Sequence, residues 1–154
     1  MAKIIIPKVL VGWVVVIVED DYDSQQVARI MLEKAGATVY IAENGQEGLA
    51  LIRKHNPRFV LSDISMPVMD GWQLMRELNI DRRTSSIPVI ALTAHAMYGD
   101  RAKALGAGFV NYMTKPLDPQ KFTIQLLHLL VEIPEFTAQL KSQYNALLNA
   151  QSPA

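Results

Sequence analysis

Five short apolar runs, each followed by a stretch of helical period, govern what this chain can fold into. The runs are Trp13 to Val18, Val39 to Ala42, Phe59 to Leu61, Pro88 to Leu92 and Phe109 to Tyr112. Between them Val27, Ile30, Met31 and Ala35 form one helical stripe, Leu49 and Ile52 a second, and Leu74, Met75 and Leu78 a third. Such alternation calls for parallel strands joined by crossover helices. A strand covered on both faces reads as an unbroken apolar run, whereas an edge strand admits polar residues. Trp-Val-Val-Val-Ile-Val, Phe-Val-Leu and Val-Ile-Ala-Leu therefore belong at the centre, and Thr-Val-Tyr-Ile-Ala and Phe-Val-Asn-Tyr-Met at the periphery. With right-handed crossovers, the expected fold is α/β, a doubly wound five-stranded parallel sheet of order 2-1-3-4-5. Its ligand crevice lies at the carboxyl ends of strands 1 and 3.

The punctuation agrees with this reading. Asp23 with Gln26, Asn44 with Glu47 and Asp70 with Gln73 each place an N-cap acceptor three residues before a Glu or Gln. Asp118-Pro119 fits an N-cap and first helical turn, and Gly36, Gly106 and Asn56-Pro57 mark helix ends. Pro134 breaks the chain after helix 5, and Phe136, Leu140, Tyr144, Leu147 and Leu148 then recur at helical spacing. An extra amphipathic C-terminal helix is expected there, one that needs a partner surface because so short a helix is marginal alone.

With 154 residues, half of them apolar, one core is expected and a fused output domain is not. Fifteen Lys+Arg balance fifteen Asp+Glu, so direct nucleic-acid binding has no global electrostatic support. The run Val9 to Val18 is ten residues long and ends in Glu19-Asp20-Asp21. That is short of the ~20 residues a membrane helix needs, so a buried strand and no membrane insertion are expected. Without cysteine there is no disulfide or thiolate chemistry, and a cytoplasmic setting is the simplest expectation.

Chemistry gathers where the crevice is expected. Strand 1 ends in Glu19-Asp20-Asp21 and strand 3 in Ser62-Asp63, which brings at least three carboxylates together. Such crowding is costly without a cation, and a hard divalent ion with oxygen ligands, Mg²⁺ foremost and Mn²⁺ as an alternative, relieves it. Asp20 and Asp21 could instead serve only the start of helix 1 through its dipole. Asp63 ends a central apolar strand and resists that explanation. Strand 4 runs into Thr93-Ala94 and strand 5 into Lys115-Pro116, adding a hydroxyl and an ammonium suited to a phosphoryl group.

The segments Val-Ile-Val-Glu-Asp-Asp (16 to 21), Ser-Asp-Ile-Ser-Met-Pro-Val-Met-Asp-Gly (62 to 71), Ala-Leu-Thr-Ala-His-Ala-Met (91 to 97) and Tyr-Met-Thr-Lys-Pro-Leu (112 to 117) strongly resemble the receiver domain of two-component response regulators. The resemblance covers residues 13 to 131, leaving 1–12 as an N-terminal extension and 132–154 as a C-terminal one. It implies the flavodoxin-like sheet order and a set of roles. Asp63 would accept a phosphoryl group from a histidine kinase or a histidine phosphotransfer protein. Glu19, Asp20, Asp63 and the backbone carbonyl of Ser65 would hold Mg²⁺. Lys115 would pair with the phosphoryl group. Thr93 would move to hydrogen-bond it, letting Tyr112 turn inward and changing the face through which a downstream protein target is bound. Ser65 and His95 would tune the lifetime of the phosphoryl group, and Lys115-Pro116 would be a cis peptide. The chain would thus be a signalling domain that catalyses only its own phosphorylation and dephosphorylation. Asp21 falls on a position that varies in the family.

Other readings of the same fold are a phosphorylation-independent scaffold, an aspartate-based phosphatase and a flavodoxin-like nucleotide-binding protein. The last lacks a glycine-rich phosphate loop. The apolar cluster Ile4-Ile-Ile and Val9-Leu-Val, like the C-terminal helix, could pair with a second chain and make a dimer. Trp13 is expected in the core, and Trp72 as a partly covered aromatic near the site rim. Met66, Met69, Met75 and Met97 are read as core or rim filling. His55 and His128 are expected at a helix end and a helix surface, without metal-ligand spacing.

Overall fold

The computed structural model describes residues 8–94 and 100–151; the Ile4-Ile-Ile cluster, His95 and Met97 lie outside them. Strands β1 (Val14–Val18), β2 (Thr38–Ala42), β3 (Phe59–Asp63), β4 (Val89–Thr93) and β5 (Asn111–Thr114) alternate with helices α1 (Tyr22–Lys34), α2 (Gly45–His55), α3 (Gly71–Ile80), α4 (Asp100–Gly106) and α5 (Phe122–Val131). A further helix, α6 (Pro134–Gln151), follows. The sheet order is β2-β1-β3-β4-β5, with every pairing parallel. Among the described residues no helix is long and apolar enough to cross a membrane.

Alternation along each strand divides the core into two layers. Val15, Ile17, Phe59, Leu61, Ile90, Leu92 and Met113 face α1, α5 and α6, where Ala28, Leu32, Leu126 and Leu130 meet them. Val16, Val18, Val60, Val89 and Ala91 face α2, α3 and α4, against Ile52, Leu74, Leu78 and Ala104. This explains the unbroken apolar runs of β1, β3 and β4, since both faces of each are covered.

Local signals are obeyed with two shifts. The N-cap of α1 is Asp21, not Asp23: its Oδ2 accepts from Ser24 N at 3.0 Å and Ser24 Oγ at 2.7 Å. The helix opens directly after the acidic strand end, so Asp23 sits inside its first turn, where the helix dipole favours a negative charge. Asp118 closes a turn ahead of α5 instead of capping the helix, with Oδ1 accepting from Gln120 N and its carbonyl from the N–H groups of Lys121 and Phe122. Asn44 caps α2, and Asp70 with Gln73 forms a full capping box on α3. Gly36 (φ +100°) follows α1, and Asn56 ends α2 in the left-handed region. Gly106 closes α4 in a right-handed conformation, and the positive φ falls two residues later, at Gly108.

Part of each described terminal segment packs within the chain. Leu10 is buried and its N–H donates to Ala35 O at 2.9 Å, which folds residues 9–12 into a turn over the end of α1. On α6, Phe136 and Leu140 are buried in the same layer as Trp13, whose ring lies 4.8 Å from that of Phe136. Arg58 spans both rings, its guanidinium 4.3 Å from Trp13 and 5.4 Å from Phe136, and donates to Gln139 at 3.1 Å. Burying Phe136 and Leu140 is worth roughly 1.5–3 kcal/mol each, enough to hold a helix that would be marginal in water. Pro134 takes the first helical position, where its missing N–H costs nothing.

Candidate functional site

The alternation that builds the core also aims the polar residues at the strand ends. Glu19 lies one residue past β1, Asp63 ends β3 and Lys115 follows β5; each continues the side of the sheet facing α1 and α5. Thr93 and Tyr112 have the opposite parity and face α3 and α4. A cluster of three charges therefore meets a hydroxyl and a phenol across the tip of the sheet. The N–H of Glu19 still donates to Ala42 O at 2.9 Å, extending the ladder, and Gln25 Nε2 donates to the Glu19 carbonyl at 2.5 Å. These bonds fix the register of the acidic triplet. Glu19 turns in and is fully buried, Asp20 is exposed at the rim, and Asp21 is spent on its cap.

Carboxylate oxygens of Glu19, Asp20 and Asp63 all lie within 4.8 Å of one another. Lys115 Nζ donates to Glu19 Oε1 at 2.7 Å and to Asp63 Oδ2 at 3.3 Å. Asp63 Oδ1 accepts from Ile64 N at 2.7 Å, which holds the carboxylate in place. One ammonium against three carboxylates leaves an excess of negative charge. Burial pushes the Glu19 carboxyl up to about 7; Lys115 opposes this and Asp63 reinforces it. Burial by itself would draw the Lys115 ammonium down, but its bonds to Glu19 and then Asp63 outweigh that and raise it. The lysine is thus held charged by a pair of anions it only partly neutralises. All-oxygen donors with uncompensated charge fit a hard divalent cation such as Mg²⁺.

The loop between β3 and α3 is drawn tightly beneath this cluster. Gly71 N donates to Ile64 O at 2.8 Å, and a Cβ at Gly71 would lie 2.5 Å from Asp63 O. Only glycine lets the first turn of α3 approach so closely. Lys115-Pro116 is cis, as the resemblance implies.

Beside the charges lies a cavity of about 330 Å³, walled by Asp63, Ser65, Trp72, Thr93, Tyr112 and Lys115. Ser65 is exposed at its mouth. Every expected site residue except His95 thus falls within the described residues at one end of the sheet, Glu19 and Asp20 in the acidic cluster and the rest around the cavity. Arg101 and Lys103 of α4 also line it, and the sequence reading did not single them out. The available signal was a pair of cations in the helix after Thr93, but nothing in the sequence set them apart from a solvated surface. Trp72 is half-buried on the cavity wall with Phe109 edge-on at 5.8 Å, and Met75 is core. His55 stacks on Tyr40, and His128 bonds Tyr144 on the surface.

A parallel sheet of this order, with an acidic, lysine-bearing cleft at its carboxyl edge, defines a class of signalling domain. The response regulator receiver domain model matches residues 15–127, and the chain belongs to that family. It is similar to an uncharacterized 14.6 kDa protein of Leptolyngbya boryana, 42% identical over 105 residues that cover 68% of this chain and 80% of that one. Protein PilH of Pseudomonas aeruginosa is 41% identical over 106 residues, 69% of this chain and 88% of PilH. Among solved structures, the receiver domain of a sensor histidine kinase from the same organism, with a magnesium ion coordinated in its active-site cleft, is 31% identical. It matches with a TM-score of 0.68, covering 76% of this chain and 96% of that one. Receiver domains generally bind Mg²⁺ and interact with histidine kinases or phosphotransfer proteins.

Proposed function

We propose that the protein is a phosphorylation-controlled signalling switch whose phosphoryl acceptor is Asp63. The observation that carries this reading is the convergence of Glu19, Asp63 and Lys115 from three strand ends. Glu19, Asp20, Asp63 and the Ser65 carbonyl would hold Mg²⁺. When bound, Mg²⁺ supplies neutralising charge to the carboxylates and to phosphoryl oxygens. One Asp63 carboxylate oxygen bonds to phosphorus as the bond from phosphorus to the donor's histidine nitrogen breaks. The electron pair returns to the imidazole, which takes up a proton. Lys115 offsets charge on the transferred group, and Thr93 donates its hydroxyl to it. Water later attacks the phosphorus, releasing inorganic phosphate and restoring the Asp63 carboxylate.

Residues 13–131 form the switching unit. Movement of Thr93 frees Tyr112 to turn inward, which alters the face built from α4, β5 and α5 and so its affinity for a target protein. Ser65 and His95 govern the approach of water. The terminal extensions offer surfaces for dimerisation, and the setting is cytoplasmic.

Intact mass spectrometry after incubation with acetyl phosphate tests this reading. A single phosphoryl adduct that requires Mg²⁺ is expected on the wild type and none on Asp63→Asn. An adduct that persists in Asp63→Asn would refute it.

A further inference from the structure

The carbonyl of Glu19 belongs to the peptide that joins two adjacent acidic residues of the cleft, and Gln25 holds it. Glutamine side chains are mostly exposed. Gln25 is buried near the start of α1, and its Nε2 donates to that carbonyl at 2.5 Å. The backbone of Gln25 is itself tied to the strand end: its N–H donates to Asp21 O at 3.0 Å, and Asp21 caps the helix through Ser24. Glu19 is pinned on its other sides as well. Its N–H donates to Ala42 O at 2.9 Å, its Oε1 accepts from Lys115 at 2.7 Å and its Oε2 accepts from Asp21 N at 3.3 Å. Asp20, by contrast, is exposed at the rim, and where its carboxylate stands follows from how the Glu19–Asp20 peptide presents it. A peptide is planar, so fixing its carbonyl fixes the plane and the bond that leads to the Asp20 Cα.

We propose that Gln25 is a positioning residue for the divalent cation: it sets the placement of the Asp20 carboxylate against that of Glu19, and so the affinity for Mg²⁺, without supplying a ligand. This rests on Glu19 and Asp20 being metal ligands. Removing the donor leaves a buried carbonyl without that bond, and the peptide gains by turning toward water at the rim. Asp20 swings with it, while Glu19 stays held by Ala42 and Lys115. The carboxylate oxygens of Glu19, Asp20 and Asp63 then lose the spacing, within 4.8 Å of one another, that lets one small cation meet all three. Groups that orient metal ligands from behind commonly contribute ten-fold or more to affinity.

The probes are Mn²⁺, followed by loss of the electron paramagnetic resonance signal of the free ion, and Mg²⁺, followed by isothermal titration. Each is titrated against the wild type, Gln25→Met, Gln25→Ala, Asp20→Asn and Ala28→Gly. Gln25→Met keeps the length of the side chain but not the donor, and Gln25→Ala leaves room in its place. Both should bind either ion about ten-fold more weakly. Asp20→Asn should lose at least as much. Ala28→Gly loosens the buried face of the same helix without touching the Glu19–Asp20 peptide, and should bind like the wild type. Wild-type affinity in both Gln25 variants, with Asp20→Asn impaired, would overturn the proposal. An equal loss in Ala28→Gly would do the same, because the role of Gln25 would then be merely structural. An Asp20→Asn variant that binds both ions like the wild type would instead overturn the ligand assignment, and this proposal with it.

Discussion

Lys115 sits nearer to Glu19 than to Asp63, 2.7 Å against 3.3 Å. Its ammonium is the only counter-charge within hydrogen-bond reach of either carboxylate among the described residues. The lysine and a divalent cation are therefore rivals for the same negative charge until a phosphoryl group arrives and supplies more. Replacing it separates these roles. Lys115→Met should bind Mg²⁺ about ten-fold more tightly, because one positive charge has left a partly buried site. The same variant should form the acyl phosphate about 100-fold more slowly, having lost a group that meets the developing charge. Mg²⁺ titration followed by Trp72 fluorescence, paired with a mass-spectrometric time course, checks both directions.

Proton and metal should compete at Glu19. Its carboxyl is raised to about 7 in the folded, metal-free protein against an ordinary value of 4.5, so the folded state holds this proton more tightly than the unfolded chain. Its contribution to stability is fully present below pH 4.5 and is lost as pH rises through about 7. The apparent Mg²⁺ affinity should consequently fall below pH 7, approaching about ten-fold per unit, as protons occupy a ligand. Mg²⁺ should raise the melting temperature more at pH 8 than at pH 6, and Glu19→Gln should flatten that difference. Isothermal titration in buffers of different ionisation enthalpy would register the released proton.

Much of this architecture was legible because parallel strands buried on both faces leave an unmistakable apolar record. Sheet order followed from which runs tolerated Thr38, Tyr40, Asn111 and Tyr112, and the acidic ends of β1 and β3 marked the cleft. What escaped the sequence depended on side chains meeting across long separations. No pattern tells that Arg58 would bridge Trp13 and Phe136, or that Lys103 would settle over Trp72. The α1 cap was displaced by two residues because Asp21 and Asp23 are chemically alike, and only the position of the strand end selects between them.

Gly71 should prove intolerant of even one methyl group. Its Cβ would stand 2.5 Å from Asp63 O and 2.9 Å from Ile64 Cα, both backbone atoms that cannot step aside. Gly71→Ala should cost about 1–3 kcal/mol by overpacking. It should also slow adduct formation on Asp63, because the displaced backbone carries the acceptor. Urea denaturation and the phosphorylation time course should shift together.

The first half of α6 should behave as core. Phe136 is 1% exposed and packs on Trp13, so Phe136→Ala should destabilise the protein by about 3–5 kcal/mol. The outer residue Leu148, 40% exposed, should tolerate alanine with a change under about 0.5 kcal/mol. Chemical denaturation of the two variants would distinguish an integral helix from a loosely attached one.

The central claim concerns a single carboxylate, and chemical trapping reads it directly. Borohydride reduces an acyl phosphate to an alcohol, converting a phosphorylated aspartate into homoserine that peptide mass spectrometry can place. After treatment with acetyl phosphate and Mg²⁺, homoserine should appear at position 63 and nowhere else, and should vanish when Mg²⁺ is withheld. Homoserine at position 20 or 21 with Asp63 unmodified would contradict the account.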